Sequence, residues 1–81
     1  MTIKGKATAI ALATGKSSDT LFTTKDILLT VIEGEGEIEV NRQISIIGKN
    51  ETYLISKNSK YEIRNNKKET LIYAIIESVN Q

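Results

Sequence analysis

The sequence predicts an all-β fold, a sandwich or barrel of about eight short antiparallel strands. Three observations predict it. Apolar and polar residues alternate with period two through several stretches. Clusters of Gly, Asn, Ser and Lys separate those stretches at intervals of roughly 8 to 12 residues. No segment carries a sustained helical period. The pattern is organised around LLTVIEGEGEIEV, residues 28–40, an apolar run, a Gly-Glu-Gly break, and glutamates alternating with Ile38 and Val40.

The elements follow in order. Lys6 to Thr14 sets Ala7, Ala9, Ala11 and Ala13 on one side and Thr8, Ile10, Leu12 and Thr14 on the other. Alanine favours helix, but the threonines and the flanking Gly5 and Gly15 select a strand whose Ile/Leu side meets the core. Gly15 to Asp19 is a loop, and Leu21 to Thr23 a short strand. Ile27 to Glu33 runs to a turn or bulge at Gly34 and Gly36. Val40-Asn41-Arg42-Gln43 reads as a tight hairpin because Asn tolerates the left-handed conformation; Arg42 suits the second position poorly, which leaves a longer loop open. Gln43 to Ile47 returns, and Gly48 to Asn50 turns. Glu51 to Ser56 and Lys60 to Arg64 are strands around a Lys57-Asn58-Ser59 turn. Asn65 to Lys68 turns again. Thr70 to Ser78 is the most apolar strand, with Leu71, Tyr73 and Ile75 on one side and Ile72, Ala74 and Ile76 on the other, which implies cover on both faces.

The 81 residues are read as one domain, residues 1–81, with material for a single modest core. The chain has no cysteine and no histidine. That excludes disulfides, thiolate chemistry and the commonest general base and transition-metal ligand. Eleven basic against ten acidic residues give a net charge of +1, which is no signature of nucleic-acid binding. No apolar run approaches the ~20 residues of a membrane-spanning helix. Met1 to Lys6 followed by Ala7 to Ala13 imitates a secretory leader, but its apolar core is short, Thr8 interrupts it, and it alternates as a strand does. A cytoplasmic protein is expected.

Residues 31–65, VIEGEGEIEVNRQISIIGKNETYLISKNSKYEIRN, resemble the core of a small cupin, a double-stranded β-helix or jelly-roll barrel. In that family an Ile-Glu-Gly turn, matched by Ile32-Glu33-Gly34, leads to a charged hairpin, a Gly-Asp turn and a Pro-x-Gly-x-x-His-x-x-x-Asn segment. Asn65 fits the final Asn, and Ile55 fits the apolar residue before the Pro. Ser56 and Asn58 stand where Pro and Gly are usual, and Asn50-Glu51 replaces Gly-Asp. Tyr61 stands at the family's metal-binding His. The family's Glu falls on Ile27, and its two other His on Leu21 and Thr23 or on Thr20 and Phe22. The resemblance therefore implies a cupin barrel without its metal site, with no metal and no cofactor. It places a candidate ligand pocket in the barrel mouth at Tyr61, Thr23, Ile27 and Phe22.

Tyr61 offers a hydrogen-bond donor at neutral pH, since free Tyr titrates near 10. Its competing role is to fill the space left by the lost metal; Tyr53 and Tyr73 read as core or rim residues. Glu33, Glu35, Glu37 and Glu39 share one strand face opposite Ile38 and Val40, so they read as a solvated acidic row rather than a calcium site. The glycines of Gly34-Glu35-Gly36 precede a strand, not a helix, and so make no phosphate loop. Lys57, Lys60, Arg64, Lys67 and Lys68 read as solvated turns.

The expected function is a metal-free binding or regulatory module that takes a small molecule in the barrel mouth. One alternative is a cofactor-free sugar-type isomerase, epimerase or cyclase using Tyr61 with a carboxylate. Another is a structural or partner-binding subunit without ligand. A homodimer is expected, through the alanine face of the first strand or by shared N-terminal strands, because an open jelly roll leaves strand edges to protect.

Overall fold

The computed structural model describes residues 5–78; Met1 to Lys4, part of the leader-like stretch, lie outside the described residues. In chain order the strands are β1 (Gly5–Leu12), β2 (Leu21–Thr23), β3 (Ile27–Glu33), β4 (Glu35–Val40), β5 (Gln43–Gly48), β6 (Thr52–Ile55), β7 (Ser59–Arg64) and β8 (Leu71–Ser78). One antiparallel sheet has the order β1-β8-β3-β6, the other β2-β7-β4-β5. Successive strands change sheet at every step except the β4–β5 hairpin. That is a jelly-roll barrel, the architecture expected from the alternation of short strands.

Side-chain parity explains the core. Leu29, Val31, Ile38, Ile55, Ile63 and Leu71 are fully buried between the sheets, joined by Leu12, Ile27, Ile47, Tyr73 and Ile75. Each comes from the inward-facing register of its strand, and burial of a Leu or Ile side chain stabilises by about 1.5–3 kcal/mol. β1 ends earlier than the alternation predicts. Lys16 N–H donates to Ala13 O at 3.1 Å, and Gly15 has φ +78°, so the chain turns before Thr14 can extend the strand.

Gly34 makes the passage between sheets. Its φ is +86°, and a Cβ there would lie 2.6 Å from Thr70 O. Only glycine fits a left-handed position this close to backbone. A register shift between Val31 and Glu33 against β8 puts the expected irregularity one step earlier, as a bulge in β3. The Asn41-Arg42 hairpin is the tight two-residue form, with φ +49° and +75°. Arg42 therefore occupies a left-handed position despite its side chain.

The expectation that β8 is covered on both faces holds on one side only within this chain. Leu71, Tyr73 and Ile75 are buried, whereas Ile72, Ala74 and Ile76 are half-buried among their lateral neighbours on the outer face of the first sheet. On that face the register aligns Ala7, Ile76, Leu28 and Leu54 in one row, and Ala9, Ala74, Thr30 and Thr52 in the next. The second sheet's outer face is charged instead. There Arg64 reaches Glu37 at 3.3 Å, Glu39 at 3.0 Å and Glu62 at 3.2 Å. The glutamates of β4 thus share the predicted face, but Glu37 and Glu39 are half-covered partners of an arginine rather than a free acidic row.

Candidate functional site

The barrel end that carries the Asn41-Arg42 hairpin is built from β7, β2, β3 and β8. On β7, Tyr61 follows the parity of buried Ser59 and Ile63 and so points between the sheets. It is flanked in the sheet by Val40 on β4 and Leu21 on β2. Thr23 pairs with Ser59 and is buried, but its hydroxyl is already used: it donates to Lys25 O at 2.7 Å and accepts from Lys25 N–H at 3.1 Å. Ile27 lies beside Ile55 and Glu77 and is 2% exposed. Phe22 pairs with Lys60 and is 57% exposed on the outer face. Of the residues that the sequence nominates, Tyr61, Thr23 and Ile27 thus come to the barrel interior, and Phe22 stands on the opposite side of its strand. The burial also decides between the two registers read from the sequence: Thr23, not Phe22, faces inward.

Two residues join this end that the sequence did not single out as a site. Tyr73 on β8 is 1% exposed. Burial, and then the neighbouring Tyr61, push its phenol up to about 12. Burial likewise raises Tyr61, and the negative charge of Glu77 adds to the shift. Glu77 thus bears on Tyr61, and Tyr61 on Tyr73, across the barrel end. A signal for Glu77 existed: it shares the odd-numbered parity of Leu71, Tyr73 and Ile75, an acid in the inward register of the most apolar strand. Among the described residues every fully enclosed side-chain N or O atom has a hydrogen-bond partner.

The donor set does not fit a metal. The family positions hold a spent hydroxyl, a protonated phenol and hydrocarbon, and among the described residues no three His, Cys, Asp or Glu side chains converge. One cavity, of about 330 Å³, adjoins this site: Tyr61 lines it together with Thr20, Glu39, Asn41, Arg42, Lys60 and Glu62. The other, of about 430 Å³, lies at the far end around Gly34. Its rim charges are already paired, Glu33 with Lys49 at 3.2 Å and Glu35 with Lys67 at 3.8 Å.

No protein-family model matches the sequence, and no curated protein matches it. Solved structures do match the fold. An RmlC-like cupin family protein with a double-stranded β-helix fold from Methanocaldococcus jannaschii superposes with a TM-score of 0.86 at 17% identity, over 91% of this chain and 69% of that one. The fold is a cupin. The cupin domain of an XRE family transcriptional regulator from Enterobacter cloacae matches over 98% of this chain and 85% of its own, with a TM-score of 0.86 at 16% identity. A Photorhabdus luminescens protein gives a TM-score of 0.83 at 19% identity over 89% of this chain, which spans 60% of that protein's length. No helix among the described residues is long and apolar enough to cross a membrane.

Proposed function

We propose that this cupin domain is a metal-free binding module rather than an enzyme, holding a small hydroxylated molecule at the barrel end. The observation that carries the reading is the group of Tyr61, Tyr73 and Glu77. A ligand hydroxyl set among them accepts a hydrogen bond from a phenol and donates one to the carboxylate. Both phenols have pKa values raised further from neutrality, so they stay protonated as donors and are poorly matched to proton transfer. For that reason the isomerase reading, which gains its carboxylate partner in Glu77, ranks below binding. The neighbour from Enterobacter cloacae supports a modular role, since a domain of this fold and size serves there within a transcriptional regulator.

The test is ligand-observed NMR and thermal shift with a panel of monosaccharides and hydroxy acids. Binding that is lost in Tyr61→Phe and Glu77→Gln supports the reading; no binder to the wild-type protein removes it. Added Mn²⁺, Fe²⁺ or Zn²⁺ leaves the melting temperature unchanged if the barrel takes no metal. A second reading, a partner-binding subunit without ligand, is favoured by the apolar packing between the sheets and by the uncharged outer face of the first sheet.

A further inference from the structure

We propose that the cavity beside Tyr61 is a binding site for a small zwitterion, a free amino acid or a molecule carrying the same pair of charges. The inference stands apart from the barrel-end reading, since it calls on neither Tyr73 nor Glu77. Its starting point is that the cavity carries charge of both signs and keeps them apart. Glu39 and Glu62 line it together with Arg42 and Lys60. Arginine and lysine side chains are long enough to reach across such a space. Yet among the described residues neither Arg42 nor Lys60 forms an ion pair.

The carboxylates are held to their own side. Arg64 takes Glu39 Oε1 at 3.0 Å and Glu62 Oε1 at 3.2 Å. The Ser17 hydroxyl donates to Glu62 Oε2 at 2.6 Å. One arginine shared among Glu37, Glu39 and Glu62 leaves that side negative. A carboxylate has room for more than one donor, so Glu39 can still receive one from a ligand.

The cations are fixed opposite. Arg42 is the second residue of the β4–β5 hairpin, at φ +75°, where glycine is the usual occupant. A side chain held at such a cost points to a role for that side chain. Asn41 braces the hairpin against β7. Its N–H donates to Lys60 O at 3.0 Å, and its side-chain oxygen accepts from Lys60 N–H at 3.2 Å. Its side-chain amide donates to Ser59 Oγ at 3.3 Å. Arg42 and Lys60 therefore project from one braced corner.

The charge pattern selects the ligand. An anion would meet Glu39 and Glu62, and a cation would meet Arg42 and Lys60. An uncharged molecule would leave both pairs unanswered. A molecule with a carboxylate at one end and an ammonium at the other meets opposite charge at each. The guanidinium of Arg42 offers the forked donors that match a carboxylate. A volume of about 330 Å³ lies at the small end of ligand cavities, which suits a molecule the size of an amino acid.

Ligand-observed NMR on the full chain with the common L-amino acids tests the proposal, followed by calorimetry for those that bind. At least one is expected to bind. Its N-acetyl and its carboxamide derivatives, each left with a single charge, are expected to bind at least about tenfold more weakly, the loss of one charge-assisted contact. Lys60→Gln and Glu39→Gln should lose a similar factor. Arg42→Gly should lose binding while melting higher than the wild type, because the strain leaves together with the guanidinium. Lys68→Gln, at the other cavity, should bind as the wild type does. No binding by any of the amino acids, a singly charged derivative that binds as tightly as its parent, or full binding in Arg42→Gly would overturn the proposal.

Discussion

Asn65 binds the end of β1 to the end of β7: its side-chain amide donates to Leu12 O at 2.9 Å, fully buried. The same amide donates to Glu69 O at 2.7 Å, and its oxygen accepts from Lys67 N–H at 2.9 Å. Its backbone closes the junction through Lys16 O at 3.0 Å and Gly15 N–H at 2.7 Å. Asn65→Leu leaves two carbonyls and one amide without their partner, in a place that water reaches poorly. The expected loss is about 2–4 kcal/mol in urea-induced unfolding. Asn65→Asp, which keeps an acceptor but loses the donors, should fall between Leu and wild type. An unchanged midpoint for Asn65→Leu would show that the junction is held elsewhere.

Gly34→Ala tests the passage from the first sheet to the second. The new Cβ meets Thr70 O at 2.6 Å and Leu71 Cα at 3.2 Å, both backbone atoms that cannot swing aside. Left-handed strain adds to the overlap, for a total of about 3 kcal/mol. Thermal unfolding should drop accordingly, whereas Gly15→Ala, whose Cβ meets nothing within 4 Å, should show the cost of the positive φ alone.

Arg42→Gly runs the other way. Arg42 sits at φ +75° in the two-residue hairpin, a conformation that costs a side-chain-bearing residue about 1 kcal/mol or more. Glycine removes that cost while Asn41 keeps its bond to Lys60 N–H at 3.2 Å. The variant should melt about 4–8 °C higher by circular dichroism. A fall in the melting temperature would mean that the Arg42 side chain stabilises the cavity it lines.

How much of this was legible follows from where the information sits. Strand positions were readable because alternation is local: Ile38 and Val40 against Glu37 and Glu39 give the face of β4 without any knowledge of its neighbours. The hairpin at Asn41 and the turns at Asn50 and Asn58 were readable for the same reason, since all three residues take positive φ. The face of the short β2 was not, because three residues hold too little alternation to choose between Thr23 and Phe22. Nor was the meeting of Tyr61 and Glu77. They belong to β7 and β8, which lie in different sheets, so no ladder register relates them; only the closure of the barrel brings them together. Arg64 read as one more charge in a basic turn, and its role emerges only when β4 is laid beside β7.

Tyr73 gives the fold a dependence on alkali. In the unfolded chain its phenol titrates near 10.0, and in the fold it is pushed up to about 12. Between those values the unfolded chain has released the proton while the folded chain keeps it. The folded state then holds more protons, and stability falls as pH rises. The contribution is complete below the unfolded value and gone once pH passes the folded one. Tyr61 is raised in the same direction and adds to the slope. Urea midpoints through this window should decline in the wild type and flatten in Tyr73→Phe; equal slopes would place the tyrosine's hydroxyl in ordinary solvent.

Arg64 is the only positive side chain recorded in contact with Glu37, Glu39 and Glu62 among the described residues, and the three carboxylates hold its guanidinium firmly charged. Glu62 also accepts from the Ser17 hydroxyl at 2.6 Å, which ties the loop after β1 to the same cluster. Arg64→Gln keeps a hydrogen-bonding side chain but leaves three neighbouring negative charges with no counter-charge among them. The variant should melt several degrees lower at low ionic strength. Added sodium chloride should then restore much of that loss, since screening relieves repulsion between partly exposed charges within about a Debye length of ~10 Å. The wild type, whose cluster is balanced by its arginine, should respond to salt much less. If both proteins gained equally, the carboxylates would be solvated independently and the cluster would contribute nothing to the fold.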